Sequence, residues 1–342
     1  MKKNEVLLFC LTISCCLTAC NSNTTSVNYK QNIVQVKGEF LAIDHFIGNP
    51  HSITCMDTLL IYYDRFDNKL ISVYDVKNNH FVGRYVSEGN GPGEAIAPLD
   101  ILPRSQSNQL CFYQRNTAIF SVFDIPEFKM HTTLSFLSPS SKWRPSKIQK
   151  MKDYYLGETV YDNGHFGLYN LQGGFFHAGV TYPFDGEEMD RIAARILYQG
   201  NICTNPENNQ FAVGCLLCDH LSFYEVNEKE FVLLKEYTSN TVKARYPGQL
   251  VIQDDCTINY TWAQGTAAYC YMLFSGKTYS ENNKVAGGYY IVVFDWQGNY
   301  IKTLETDHEI KTFCVDEINN RIYATALNSD GEYGIMQFIT RI

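Results

Sequence analysis

From about residue 33 onward the chain is filled by short runs in which apolar and polar residues alternate, each closed by a cluster of Asn, Asp, Gly or Lys. A period of two marks β-strands, and turn-forming clusters between such runs mark hairpins. One pattern recurs: an alternating run ends in an aromatic and a polar residue, and a turn follows. It appears as ISVYDVKNN, FSVFDIPEF, GLYNLQGG, SFYEVNEKE, VVFDWQGN and, in degenerate form, GIMQFI. Its aromatics are Tyr74, Phe123, Tyr169, Tyr224, Phe294 and Phe338, separated by 49, 46, 55, 70 and 44 residues. These lengths suit a four-stranded propeller blade. The long interval is expected to be absorbed by the loop SGKTYSENNKVAGG.

Each marked strand is flanked alike. LLIYYD, QLCFYQ, YYLGETV, QFAVGCL, AYCYMLF and RIYATAL precede it, and HFVGRYV, FKMHTTL, FFHAGVT, FVLLKEY and YIKTLET follow. A short strand such as HSITC, LDILP, SKIQK or KTFCV opens a unit. The expected fold is therefore all-β, a six-bladed β-propeller of four-stranded blades over residues 33–342, with two β-sandwich domains as the plainer alternative. The sixth unit ends one strand short, and the unpaired run IVQVKGEFLAI (33–43) is expected to close the ring as its outermost strand. One segment, EEMDRIAARIL (187–197), has room for a turn or two of helix.

The first residues break this pattern. Lys2 and Lys3 precede an apolar run of about a dozen residues, too short to cross a bilayer, which needs roughly 20. Leu17-Thr18-Ala19-Cys20 closes the run and resembles the bacterial lipobox, in which the cysteine accepts a lipid and becomes the first mature residue. That resemblance implies a signal peptide over 1–19, lipid attachment at Cys20 and a lipidated flexible tether over 20–32. No Asp follows Cys20 and no acidic cluster lies in the tether, which favours the periplasmic face of the outer membrane.

After the first unit lies Gly89-Asn90-Gly91-Pro92-Gly93-Glu94. This hexapeptide resembles the G-x-G-P-G-E signature of the TolB-like six-bladed β-propeller lipoproteins, a bacterial family. The family often has an aromatic after the Glu, where this chain has Ala95. With the lipobox and the repeat, the resemblance covers nearly the whole chain.

Charge and cysteine content narrow the partners. With 36 Asp and Glu against 28 Lys and Arg, a net charge of −8 and no basic run, nucleic acid is not an expected partner. Three of the 12 cysteines fall in the signal and Cys20 carries the anchor. Cys55, Cys111, Cys203, Cys215, Cys218, Cys256, Cys270 and Cys314 remain. Cys203 with Cys215, and Cys256 with Cys270, are candidate disulfides on consecutive strands, with connectivity left open. Cys215-Leu216-Leu217-Cys218 has redox-motif spacing but sits on a strand and not at a helix N-terminus, so buried structural thiols are expected. No HExxH or G-x-S-x-G motif occurs, and Gly276-Lys277-Thr278 lacks the upstream glycine of a phosphate loop.

In a propeller the connections between blades crowd one face around the central channel, where ligands bind. Six residues on these connections make a candidate rim for a polar, anionic or saccharide ligand: Glu94, Trp143, Arg144, Arg191, Arg245 and His308. Arg forks match carboxylates. The blander expectation is that these are solvated loop charges, with Glu94 capping backbone amides. Six-bladed lactonases suggest an alternative calcium site at Asp100, Asp254, Asp255 and Asp316; otherwise no cofactor or metal is expected. The favoured reading is a monomeric, lipid-anchored envelope module with no catalytic residues, binding a ligand or an envelope protein. A calcium-dependent hydrolase or lactonase, and a sensory or scaffold subunit, are the alternatives.

Overall fold

A computed structural model of the chain describes residues 27–102, 109–124, 127, 129–182, 189–238, 243–246, 249–281 and 287–340. Residues 1–26, with the signal and Cys20, lie outside the described residues, as does the start of EEMDRIAARIL. Blade 1 comprises Ser52–Met56, Leu59–Phe66, Lys69–Asp75 and His80–Ser87. Blade 2 comprises Leu99–Leu102, Gln109–Gln114, Ile119–Asp124 and Lys129–Ser135. Lys147–Lys150, Tyr155–Tyr161, Gly164–Tyr169 and Phe175–Gly179 make blade 3. Gly200–Thr204, Gln210–Cys215, His220–Asn227 and Glu230–Thr238 make blade 4.

Blades 5 and 6 are joined. The strand Tyr300–Asp316 pairs through its first half with Gly288–Asp295 and through its second half with Arg321–Leu327. With Tyr260–Gly265 and Tyr269–Phe274 the first half completes blade 5. The second half opens blade 6, followed by Arg321–Leu327 and Tyr333–Ile339. His308 was expected on a connection between blades, but its segment ETDHE (305–309) is thus continuous strand. It has no Gly or Pro to end the run, and Thr306 is buried and tied by its hydroxyl to Tyr289 O. Register shifts at either side accommodate the bend.

The ring closes as the pattern of residues 33–43 requires. Gly38–Phe40 pairs antiparallel with Tyr333–Ile339 as the outermost strand of blade 6. The preceding strand, Ile33–Val36, adds in parallel to the outer edge of blade 5. Ahead of these strands Val27 is buried, and Tyr29 packs on Phe274 with ring centroids 4.2 Å apart.

All six marked aromatics are buried. In blades 1 to 5 the outermost strand shifts register opposite this position, a shared bulge that adds twist. The polar residue after the aromatic caps the next turn: Asp75 Oδ1 accepts from Lys77 N at 2.9 Å, Asn170 Oδ1 from Gln172 N at 2.9 Å, and Asp295 Oδ1 from Gln297 N at 3.0 Å. The second and third strands are buried on both faces because each blade stacks between two others. Between blades 1 and 2, for example, Ile61, Leu70 and Val73 meet Leu99, Leu110 and Phe123.

The long fourth interval is absorbed in two places. Besides the 275–287 connection, the crossover from blade 4 to blade 5 carries a small hairpin, Ala244–Arg245 paired with Val251–Ile252. Between blades 3 and 4 stands the helix Arg191–Leu197, N-capped by Asp190 Oδ1, which accepts from Ile192 N and Ala193 N at 2.9 Å each. Ala193, Ala194 and Leu197 bury its inner face.

Candidate functional site

The first strands of the six blades touch in sequence around the ring and surround a channel. Its throat is a cavity of about 210 Å³ whose lining includes Ser52, Thr54, Gln149, Thr204 and Gln264. At the end where these strands begin, the channel widens into a mouth of about 540 Å³. Arg115, Lys147, Asn201 and Trp262 line both.

The mouth is cationic in an acidic chain. Among the described residues Arg115, Arg144, Lys147, Arg195 and Lys311 line it, against the single carboxylate of Glu158. Arg115 is neutralised from the throat by Asp100: its Nε donates to Oδ2 at 2.8 Å and its Nη2 to Oδ1. Burial opposes the Arg115 charge, but Asp100 outweighs it and holds the guanidinium pKa above its usual value.

The other four cations have no such partner. Among the described residues none of them has a carboxylate within ion-pair distance. Lys147 Nζ donates to Gly200 O and reaches Asn201 Oδ1 at 3.3 Å. Lys311 Nζ donates to Asn49 Oδ1 at 2.6 Å, and Arg144 Nη1 to Asn116 O. Arg195 Nε is buried without a hydrogen-bond partner among the described residues. Burial lowers the pKa of both Lys147 and Lys311. Burial, then Lys311 and Arg115, lowers that of His51 at the same rim, so the imidazole is neutral at pH 7.

Of the six expected rim residues, Arg144 lines this mouth and the other five are placed elsewhere. Glu94 folds back on its own loop, where Oε2 accepts from Gly91 N at 2.8 Å. The following Ala95 is buried in the core between blades 1 and 2. Trp143 is exposed, its backbone held by Ser141 Oγ. Arg191 Nη1 donates to Tyr161 O at 2.8 Å and to Asp162 O, pinning the helix to blade 3. Arg245 is exposed on the small hairpin. His308 lies 3.1 Å from Asp307, edge-on to Phe40, in a second cavity of about 290 Å³ that meets the mouth at Lys311.

The four carboxylates of the calcium alternative do not converge. Asp100 is bound to Arg115, Asp255 to Lys243 at 2.8 Å, and Asp316 caps a turn through Asn319 N at 3.1 Å. Asp254 and Asp255 follow the small hairpin and stand off the first strand of blade 5. Among the described residues no group of three His, Cys, Asp or Glu is arranged to hold a metal ion.

The cysteine geometry corrects the expected pairs. Cys203 lies opposite Ala212, not Cys215, and its Sγ is 3.1 Å from Cys270 Sγ across the interface of blades 4 and 5. Cys256 Sγ donates to Leu217 O at 3.2 Å. All eight are free thiols, and burial pushes Cys218, Cys270 and Cys314 up, the opposite of a reactive thiolate.

Lys147, Arg195, Lys311 and Trp262 were not among the sequence candidates. Two sequence signals point to the three cations, and none to Trp262. Lys147 and Lys311 stand at the start of the short strands in SKIQK and KTFCV, hence at the mouth. Arg195 follows Arg191 by one helical turn in a segment whose helicity is visible.

A family model described as TolB-like 6-blade propeller-like matches residues 28–318. Among solved structures, a Bacteroides fragilis NCTC 9343 protein provisionally named as exported aligns with TM-score 0.53 and 13% identity, over 90% of this chain and 98% of that one. A DUF4221 family member from Bacteroides vulgatus ATCC 8482 aligns with TM-score 0.56 and 12% identity, over 89% and 96%. The RRP9 WD40 repeats align with TM-score 0.51 and 9% identity, over 89% and 97%. At such identities the likeness is one of fold. No curated protein matches the chain.

Proposed function

The chain belongs to the TolB-like six-bladed propeller family, and from that premise we propose that it is a lipid-anchored envelope module binding an anionic ligand at its channel mouth. The observation that carries this reading is the set of four cations, Arg144, Lys147, Arg195 and Lys311, gathered in one cavity of a chain with net charge −8. Like charges repel, at about 1 kcal/mol per pair 4 Å apart in water and more where water is excluded. Burial adds to this by disfavouring the charged forms of Lys147 and Lys311. An anion in the mouth relieves both penalties and supplies the acceptor that Arg195 Nε lacks. The roles here are those of binding: Arg forks orient the acid and the two ammoniums neutralise it.

Thermal unfolding in citrate, against sodium chloride at equal ionic strength, tests the mouth. Citrate is expected to raise the midpoint by about 5 °C at saturation, and the Lys147→Met/Lys311→Met double variant to lose that response. Equal midpoints in the two salts would refute an anion site. For the anchor, labelled palmitate is expected to mark the wild type and not Cys20→Ala; equal labelling would remove it.

A further inference from the structure

We infer that the anion is the acid group of a single sugar ring whose hydroxyls enter the throat, an extension that rests on the anion reading above. The throat and mouth are continuous through Lys147, Asn201 and Trp262, so one ligand can occupy both. Their chemistry differs. The mouth presents cations with no carboxylate in ion-pair reach among the described residues, whereas the throat adds hydroxyl and amide groups, Ser52, Thr54, Gln149, Thr204 and Gln264, beside Lys147, Lys150 and the Asp100–Arg115 pair, which is satisfied internally. Neutral groups that both donate and accept are what hydroxyls require.

One of these groups waits for a partner. Ser52 is 2% exposed, lines the throat, and its Oγ makes no hydrogen bond among the described residues. A buried, unsatisfied hydroxyl costs free energy unless something supplies the bond. Trp262 stands where the two spaces meet, its Nε1 held by Phe313 O at 2.9 Å. With its N–H engaged, the indole serves as a fixed flat wall, suited to the C–H face of a sugar ring. The throat, about 210 Å³, is on the scale of part of one sugar ring, with the mouth of about 540 Å³ left for its acid group.

Calorimetric titration of the full chain with glucuronate, galacturonate, glucose 6-phosphate, glucose, acetate and sulfate tests this. At least one acidic sugar is expected to bind about 10-fold or more tighter than acetate, sulfate and glucose. Ser52→Ala is expected to weaken that sugar about fivefold and leave sulfate unchanged. Because it removes an unsatisfied group, it is also expected to unfold no earlier than wild type, so a folding defect does not confuse the result. Lys147→Met is expected to weaken acidic sugars and sulfate alike. Acetate or sulfate binding as tightly as every acidic sugar overturns the sugar inference and leaves the anion site standing. If no anion binds at all, both readings fall.

Discussion

Lys147 sits in the mouth wall with a pKa lowered from 10.5, burial being the largest cause. An anion favours its charged form, so affinity is expected to fall as pH rises through a value below the ordinary lysine one. Because Lys311 in the same mouth is lowered too, the Lys147→Arg/Lys311→Arg double variant should flatten that profile, and a citrate titration repeated from neutral to alkaline pH would reveal either behaviour. Glu94 shows the opposite outcome for a conspicuous residue. Its carboxylate braces the Gly89–Glu94 loop, and a Cβ at Gly89 would fall 2.1 Å from Oε2. Glu94→Ala and Gly89→Ala are each expected to cost about 1 kcal/mol in urea unfolding, with the citrate response unaltered. A lost response with normal stability would return Glu94 to the binding site. The signature loop was legible as a motif, but whether its acid faced solvent or its own amides was a matter of local folding.

At the scale of elements, alternation identified the strands well because each blade repeats one arrangement: a buried aromatic, a capped turn and a bulged outer strand. The fused strand Tyr300–Asp316 was less legible, since charged residues at 305–309 look like a loop until the pairing that flanks them, Glu305 with Tyr290 and Ile310 with Ala326, shows the strand running through. The closing strand Gly38–Phe40 covers the edge of Tyr333–Ile339, and Ile33–Val36 covers blade 5. A chain beginning at Leu41 leaves both edges open. It is expected to lose roughly 3 kcal/mol or more in denaturant midpoint experiments and to aggregate more readily. Unchanged stability would mean that the N-terminal strands do not hold the ring.

For the whole molecule, two buried histidines set an acid limit. Burial, then Arg84, lowers His45 to about 4, and burial lowers His220 to about 4. Their ordinary value is 6.5, so between pH 6.5 and 4 the unfolded chain binds protons that the folded chain refuses. Stability is full above 6.5 and declines toward pH 4, by up to roughly 3 kcal/mol for each histidine. Urea midpoints at pH 7 and 4.5 measure this, and equal midpoints would contradict it.

The chain also enters the propeller beside the mouth: Val27 lines a groove with Leu217 and Cys218, while Leu216 lines the mouth. If Cys20 carries the lipid, the linker to Val27 spans at most about 25 Å. A fluorophore at position 143, on the mouth side, is then expected to be quenched by nitroxide lipids more than one at position 78, on the opposite hairpins. The reverse order would place the channel mouth away from the membrane.

What residue order alone determined is what repeats: six strand quartets, the aromatic and cap that mark them, and the spare strand that closes the ring, since periodic burial writes itself into periodic sequence. The tertiary structure decided which dispersed charges and thiols meet. Lys147, Arg195 and Lys311 converge in one mouth, and Cys203 meets Cys270, because ring closure unites residues far apart along the chain. No local pattern constrains such positions, for a cation on a rim costs the strand beneath it little wherever it stands.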